Sequence, residues 1–225
     1  MLKNISNLGD AALYCDFGTQ VNKATNLEVI KYFNTIREKK IKGINNLTPS
    51  YNKLIISFDL RVTNFSEIKN KIENLDTTIE QIKNNKIIEV PVCCDEYFAL
   101  DKSRLEKKLN LSYQEILTKF FNKEYFCYMT GFIAGMPFLG DIDENLRTQR
   151  LETPRVKVPK GSVALTEQFA NIYTFESPGG WNILGNTPLD VFDSSKEDKP
   201  NLINPGDTVV FKEITLDQYK NYNEQ

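Results

Sequence analysis

Glu176-Ser177-Pro178-Gly179-Gly180-Trp181-Asn182-Ile183-Leu184-Gly185-Asn186-Thr187-Pro188-Leu189 is the stretch on which the fold of this chain turns. Pro178 fixes φ and Gly179-Gly180 permit positive φ, so its first part is a rigid turn. The apolar residues after Trp181 read as a short strand that Thr187-Pro188 cuts off. Two segments upstream repeat this grammar of a Gly/Pro turn flanked by strands. One is Gly131-Phe132-Ile133-Ala134-Gly135-Met136-Pro137-Phe138-Leu139-Gly140. The other is Arg150-Leu151-Glu152-Thr153-Pro154-Arg155-Val156-Lys157-Val158-Pro159-Lys160-Gly161-Ser162-Val163. Eight of the nine prolines fall after residue 90. From Tyr125 onward, that punctuation suits an all-β barrel or sandwich. Two helices precede it, one near residues 101–109 and one opening at the capping box Ser112/Glu115 and carrying Ile116, Leu117, Phe120 and Phe121.

The first 88 residues have a different period. Residues 10–17 read as a strand, 26–40 as a helix with Ile30, Phe33 and Ile36 on one face, and 47–50 as a turn. Lys53 to Leu60 is a second strand. Asn64 with Glu67 resembles a capping box, and Ile68, Ile72, Leu75, Ile79 and Ile82 then form one apolar helical stripe. Ile87 to Val92 starts another strand. Strand and helix alternate, as in a small α/β layer domain. The fold class expected is α+β, with an α/β domain over residues 1–88 and a β domain over 89–225.

Composition narrows the function. Of 225 residues, 40% are hydrophobic and 11% aromatic, enough for a core in each half. Basic and acidic residues number 28 and 30, a formal net charge of −2, so no nucleic acid or anionic membrane partner is expected. No apolar run approaches the roughly 18 residues of a membrane span. The N-terminus has no apolar signal-peptide core, and the cytoplasm is the expected compartment. Histidine is absent, which removes the usual general base, metal ligand and Ser-His or Cys-His pair. Cys15, Cys93, Cys94 and Cys127 form no C-x-x-C pair and read as reduced, mostly buried thiols. No phosphate-binding Walker loop and no metal-ligand cluster is present in the sequence.

The three Gly/Pro segments, in this order and spacing, resemble the KipI/PxpB family, also described as allophanate hydrolase subunit 1. That family typically reads G-F-x-P-G-F-P-Y-L, T-P-R-x-x-V-P-x-G-S-V and S-P-G-G-W-x-x-I-G-R-T-P. Leu8-Gly9-Asp10-Ala11-Ala12-Leu13, Val90-Pro91-Val92-Cys93-Cys94-Asp95 and Asn204-Pro205-Gly206-Asp207-Thr208-Val209 resemble its opening, the start of its second domain and its closing strand. The resemblance covers essentially the whole chain. It implies a cyclophilin-like barrel for the second domain. It also implies work with a KipA/PxpC-type subunit and a third subunit in a 5-oxoprolinase, whose complex uses ATP to open 5-oxo-L-proline to L-glutamate. No cofactor is expected in this chain itself. Other members imply two alternatives: a module that binds and inhibits a sensor histidine kinase, or a divergent subunit related to urea carboxylase and allophanate hydrolase.

The chain departs from the family pattern in four places. Phe120 and Phe121 stand where members often have a His and a small hydroxyl residue. Ala134-Gly135-Met136-Pro137 replaces P-G-F-P, and Gln168-Phe169-Ala170-Asn171 replaces a polar G-Q-T-G stretch. Asn186 replaces an arginine. A neutral amide cannot form arginine's bidentate pair with an anion. No catalytic residue is assigned. The expected binding or interface set is Gly135, Met136, Pro137, Phe138, Arg150, Pro154, Arg155, Ser177, Pro178, Gly179, Gly180 and Trp181. The three turns are expected to converge at one edge of the β domain. There Met136, Phe138 and Trp181 would be exposed beside the cation Arg155, the mixture found at interface centres. Two readings of Arg155 stay open: a residue that ties down a loop through carbonyls, or one that recognises an anion. Phe120 is expected to fill former polar space and to tolerate replacement by histidine.

Overall fold

The computed structural model describes residues 2–77, 86–196 and 199–222. They fall into two compact units, Met1–Asn85 and Lys86–Gln225. The boundary lies just before the strand that begins at Ile87, so that whole strand belongs to the second unit.

In the first unit the elements are β1 (Asn4–Asn7), β2 (Ala12–Asp16), α1 (Lys23–Lys39), β3 (Ile44–Pro49), β4 (Lys53–Phe58) and α2 (Phe65–Glu73). The strands form an antiparallel sheet in the order β1-β2-β4-β3. β4 shows the period of two expected of a half-covered strand, with Leu54, Ile56 and Phe58 buried and their neighbours less so. These side chains share one core with Leu13 and Cys15 of β2, Val29 and Ile36 of α1, and Ile68 and Ile72 of α2.

Several local expectations are corrected here. Polar β1 has no apolar alternation to reveal it, because it is an edge strand paired on one side only. Residues 47–49 belong to β3, and the reversal comes at Ser50–Asn52, closed by Ser50 N donating to the Lys53 carbonyl at 2.8 Å. α1 begins three residues early because Asn22 caps it, accepting from Thr25 N at 2.9 Å. α2 stops at Glu73, where the Asn74 N–H closes on the Asn70 carbonyl. Leu75 still packs on the core, whereas Ile79 and Ile82 lie outside the described residues.

The second unit contains β5 (Ile87–Cys93), α3 (Lys102–Leu109), α4 (Tyr113–Phe121), β6 (Glu124–Thr130), β7 (Pro137–Gly140), β8 (Arg155–Val158), β9 (Ser162–Thr166), β10 (Phe169–Ile172), β11 (Ser177–Gly179), β12 (Asn182–Asn186), β13 (Thr208–Ile214) and α5 (Leu216–Lys220). Seven of these strands close a barrel in the order β10-β7-β6-β13-β5-β12-β9. Every residue of β9 and β12 is buried, and their apolar side chains make up much of the interior. α4 carries both halves of the expected capping box. It lays Ile116, Leu117 and Phe120 on the core, where Phe120 stacks on Phe211 with ring centres 4.8 Å apart. β5 runs parallel to β13. Buried Asp207 staples their starts, accepting from Lys86 N at 3.0 Å and Asn204 N at 2.8 Å. β8 and β11 pair as a separate two-stranded ribbon outside the closed barrel.

Candidate functional site

The β8–β11 ribbon holds two of the three Gly/Pro segments against each other, with Gly179 opposite Arg155 and Ser177 opposite Val158. Leu151 N donates to the Gly180 carbonyl at 2.7 Å, which ties the approach to β8 onto the turn after β11. Gly180 lies under the Pro154 ring. Gly179 is required by close approach: a Cβ there would stand 2.1 Å from the Tyr173 hydroxyl oxygen. The first segment joins through side chains. Met136 shares a small core with Val158, Tyr173 and Ile183, and Phe138 meets Trp181 edge-on with ring centres 5.6 Å apart. The Thr174 hydroxyl donates to the Ala134 carbonyl at 2.7 Å. Gly135, at φ +71, faces the ring of Phe192. The three turns therefore converge, as the sequence predicts.

A buried ion pair underlies them. Arg155 donates from Nη2 to Asp101 Oδ1 at 2.7 Å, and Ile183 N donates to Asp101 Oδ2 at 2.7 Å. The Asp101 side chain is 4% exposed and that of Arg155 27%. Asp101 occupies the N-cap of α3 yet makes no capping bond, because both its oxygens are taken. Arg155 thus ties down neither a loop carbonyl nor an external anion through Nη2. Its other terminal nitrogen, Nη1, is buried without a partner, as are Ser177 Oγ on the same ribbon and Asn171 Oδ1. Burial raises the Tyr173 pKa; the Trp181 backbone N–H, the Asn171 side chain and the charge of Arg155 oppose that rise. Arg104 and Asn182 extend the polar set, with Arg104 Nε donating to Asn182 Oδ1 at 2.9 Å.

The remaining members of the expected set divide by exposure. Met136 is 2% exposed, so it cannot head an interface. Pro137 is also buried, as the first residue of β7. Arg150 and Pro178 are exposed, and Trp181 and Phe138 are half-buried. The apolar groups that do face outward are ones the sequence reading passed over: Phe132 at 76%, Val156 at 80% and Phe175 at 44% exposed. Phe132 has φ +70, a conformation that a bulky side chain seldom adopts without a local reason. Phe175 packs on Phe192, the ring that also faces Gly135.

Two departures from the family pattern have internal explanations. Asn186 donates to the Lys160 carbonyl at 2.9 Å and accepts from the Tyr219 hydroxyl at 2.7 Å, fastening α5 to the barrel. Phe120 is fully buried between Tyr125 and Phe211, so replacement by histidine would place a polar ring in an aromatic stack. Burial pushes the Cys94 thiol up to about 12 and also raises Cys93 and Cys127, which leaves none of the three activated as a nucleophile. Among the described residues, no group of three or more His, Cys, Asp or Glu side chains could hold a metal ion, and no helix is long and apolar enough to cross a membrane.

Residues 3–203 match the family described as carboxyltransferase domain, subdomain C and D. The B-type subunit of 5-oxoprolinase from Bacillus subtilis (strain 168) is 30% identical, over 98% of this chain and 97% of its own. The Haemophilus influenzae protein of the same name is 34% identical over 76% of each chain. Among solved structures, TTHA0988 superposes with a TM-score of 0.81 at 29% identity, over 90% of this chain but 40% of its own length. Kluyveromyces lactis urea carboxylase shares the fold, with a TM-score of 0.75 at 16% identity over 96% of this chain and 22% of that enzyme.

Proposed function

This chain belongs to the KipI/PxpB family, the carboxyltransferase-domain subdomain C and D family, and from that premise we propose that it is the B-type subunit of an ATP-dependent 5-oxoprolinase. It acts only with a KipA/PxpC-type subunit and a third subunit, which together open 5-oxo-L-proline to L-glutamate. ATP is consumed by the complex, and no nucleotide site is assigned to this chain. The observation that carries the reading is the convergence of three Gly/Pro turns around the β8–β11 ribbon, with Phe132, Val156 and Phe175 turned outward. Rigid turns on a closed scaffold are where binding resides, and outward aromatic groups beside an arginine suit the centre of an interface. The partner subunit docks on these groups. Arg155, held by Asp101 through Nη2, keeps its enclosed and unpartnered Nη1 for a carboxylate that reaches in from the cleft the two subunits share.

The test is reconstitution. The chain alone should release no glutamate from 5-oxoproline, and the three subunits together should do so only with ATP. Phe132→Asp removes an exposed ring at no cost to the core. It should weaken assembly by at least about 1 kcal/mol, the usual threshold for a contributing interface residue. Arg155→Lys keeps the charge beside Asp101 and loses the planar fork, so assembly should persist while activity falls. Turnover by the isolated chain, or normal assembly and activity of both variants, would overturn the proposal.

A further inference from the structure

The first unit carries a groove that the proposed barrel-edge function does not use. It holds about 550 Å³ between the C-terminal turn of α1 and β3, the outer strand of the sheet. Its floor is apolar, formed by Phe33, Ile36, Ile44 and Leu47, and its rim carries Arg37, Lys40 and Lys42. No carboxylate lines it. The three rim cations are exposed. Part of this charge serves the helix, since Arg37 and Lys39 lie in the last turn of α1 and offset its dipole. Lys42 stands beyond the helix end and has no such task.

The apolar surface continues past the groove. Gly43 lines it, and a Cβ on Gly43 would meet the Thr63 and Val62 side chains. The adjoining turn exposes Leu60 at 58% and Val62 at 46%. Asp59, in the adjoining turn, is held by Arg61 through two side-chain bonds of 3.0 and 2.7 Å, and Glu38, next to Arg37 on α1, does not line the groove, so the lining keeps its positive charge. β3 also offers backbone. Ser50 N donates to the Lys53 carbonyl, and alternation along the hairpin then turns Thr48 and Asn46 toward β4 and Leu47 toward the open edge. The bulge at Asn45 and the proline at position 49 bracket that edge, which admits a short guest and blocks a long added strand.

We propose that this groove binds a short acidic segment of a protein partner, with apolar side chains on the floor, carboxylates on Arg37, Lys40 and Lys42, and a backbone contact at Leu47. A small apolar acid would fill the floor and leave Leu60 and Val62 uncovered, which is why the occupant is assigned as polypeptide.

The probe is a fluorescein-labelled synthetic peptide alternating glutamate with valine or leucine, titrated against the full-length chain by fluorescence anisotropy. A second peptide with lysine in place of glutamate is the control. The acidic peptide should bind, and its affinity should fall at least about tenfold in the double variant Lys40→Glu, Lys42→Glu and on raising NaCl from about 50 to about 500 mM. Both substitutions are on exposed side chains, and an unchanged thermal midpoint would show that the sheet is intact. The control reversal Lys123→Glu on the barrel unit should leave binding unchanged. Equal binding of the two peptides, an equal loss in Lys123→Glu, or no binding of the acidic peptide at about 1 mM would overturn the proposal. Binding of decanoate but not of the acidic peptide would overturn it in favour of a small-molecule site.

Discussion

The two units handle the edges of a sheet in opposite ways. In the first, β1 and β3 are the outer strands of the described sheet, each paired within it on one side only, and the groove lies beside β3. The second joins seven strands into a closed circuit, which leaves no edge to display. Whatever the barrel recognises must be met by its turns and by the β8–β11 ribbon outside the circuit. The cores differ accordingly. The sheet buries mainly aliphatic side chains, whereas the barrel centres on the rings of Phe120, Tyr125 and Phe211. The lesson is that closure turns a domain into a scaffold, and its functional vocabulary shrinks to loops of defined geometry.

Trp181 is the only tryptophan and lies in the barrel, so its fluorescence follows that unit, while far-UV circular dichroism follows both. The largest effect expected is from Phe120→Ala, which should cost the barrel about 4 kcal/mol in urea unfolding followed by Trp181. A shift of the whole dichroism curve by the same amount would break the distinction between the units. Next comes Asp101→Ala. It leaves Arg155 without its carboxylate and Ile183 N without an acceptor, and should cost about 3 kcal/mol by the same measurement. In the sheet unit, Asn26 donates to the carbonyls of Ser50 and Tyr51 at 3.0 and 2.8 Å. Asn26→Ala should therefore cost about 2 kcal/mol, visible in dichroism and absent from the Trp181 signal.

The smallest effect is alkaline. Burial raises the thiols of Cys93, Cys94 and Cys127 in the barrel and Cys15 in the sheet, so the folded protein holds their protons longer than the unfolded chain. Stability from these groups is complete below the ordinary thiol value of 9.0 and is lost as pH rises toward the folded value of about 12 for Cys94 and Cys15. Near pH 10 each strongly shifted thiol should cost about 1 kcal/mol. The Trp181 transition should decline more steeply than the sheet's, and equal slopes would mean that thiol burial does not set the difference.

The parts legible in the sequence are those fixed by local chemistry. The capping box at Ser112 and Glu115, the strand read over Lys53 to Leu60, which the fold ends at Phe58, and the Gly/Pro turns each declare their conformation without reference to distant residues. β1 stayed hidden because an edge strand facing water needs no apolar pattern. Asp101 stayed hidden because an aspartate before a helix has an ordinary reading as a cap, and only the fold brings Arg155 to it. Met136 misled in the other direction, since a methionine between Gly and Pro suits a surface turn and a small core equally well. Asn186 could be read only as a lost arginine until the fold set Tyr219 beside it.

The staple at Asp207 has a consequence in time. It joins Lys86 to a residue 121 positions later, and the strand it introduces, Thr208–Ile214, is the parallel neighbour of the strand that opens the barrel. During synthesis Ile87–Cys93 leaves the ribosome long before its partner exists and must wait unpaired on that side. Among the described residues, the sheet unit's last strand ends at Phe58 and its last helix at Glu73, so it can complete its pairing while the barrel is still being made. Non-local closure of this kind is slow, and the waiting strand is the segment most in need of protection from misassociation on the way to the folded chain.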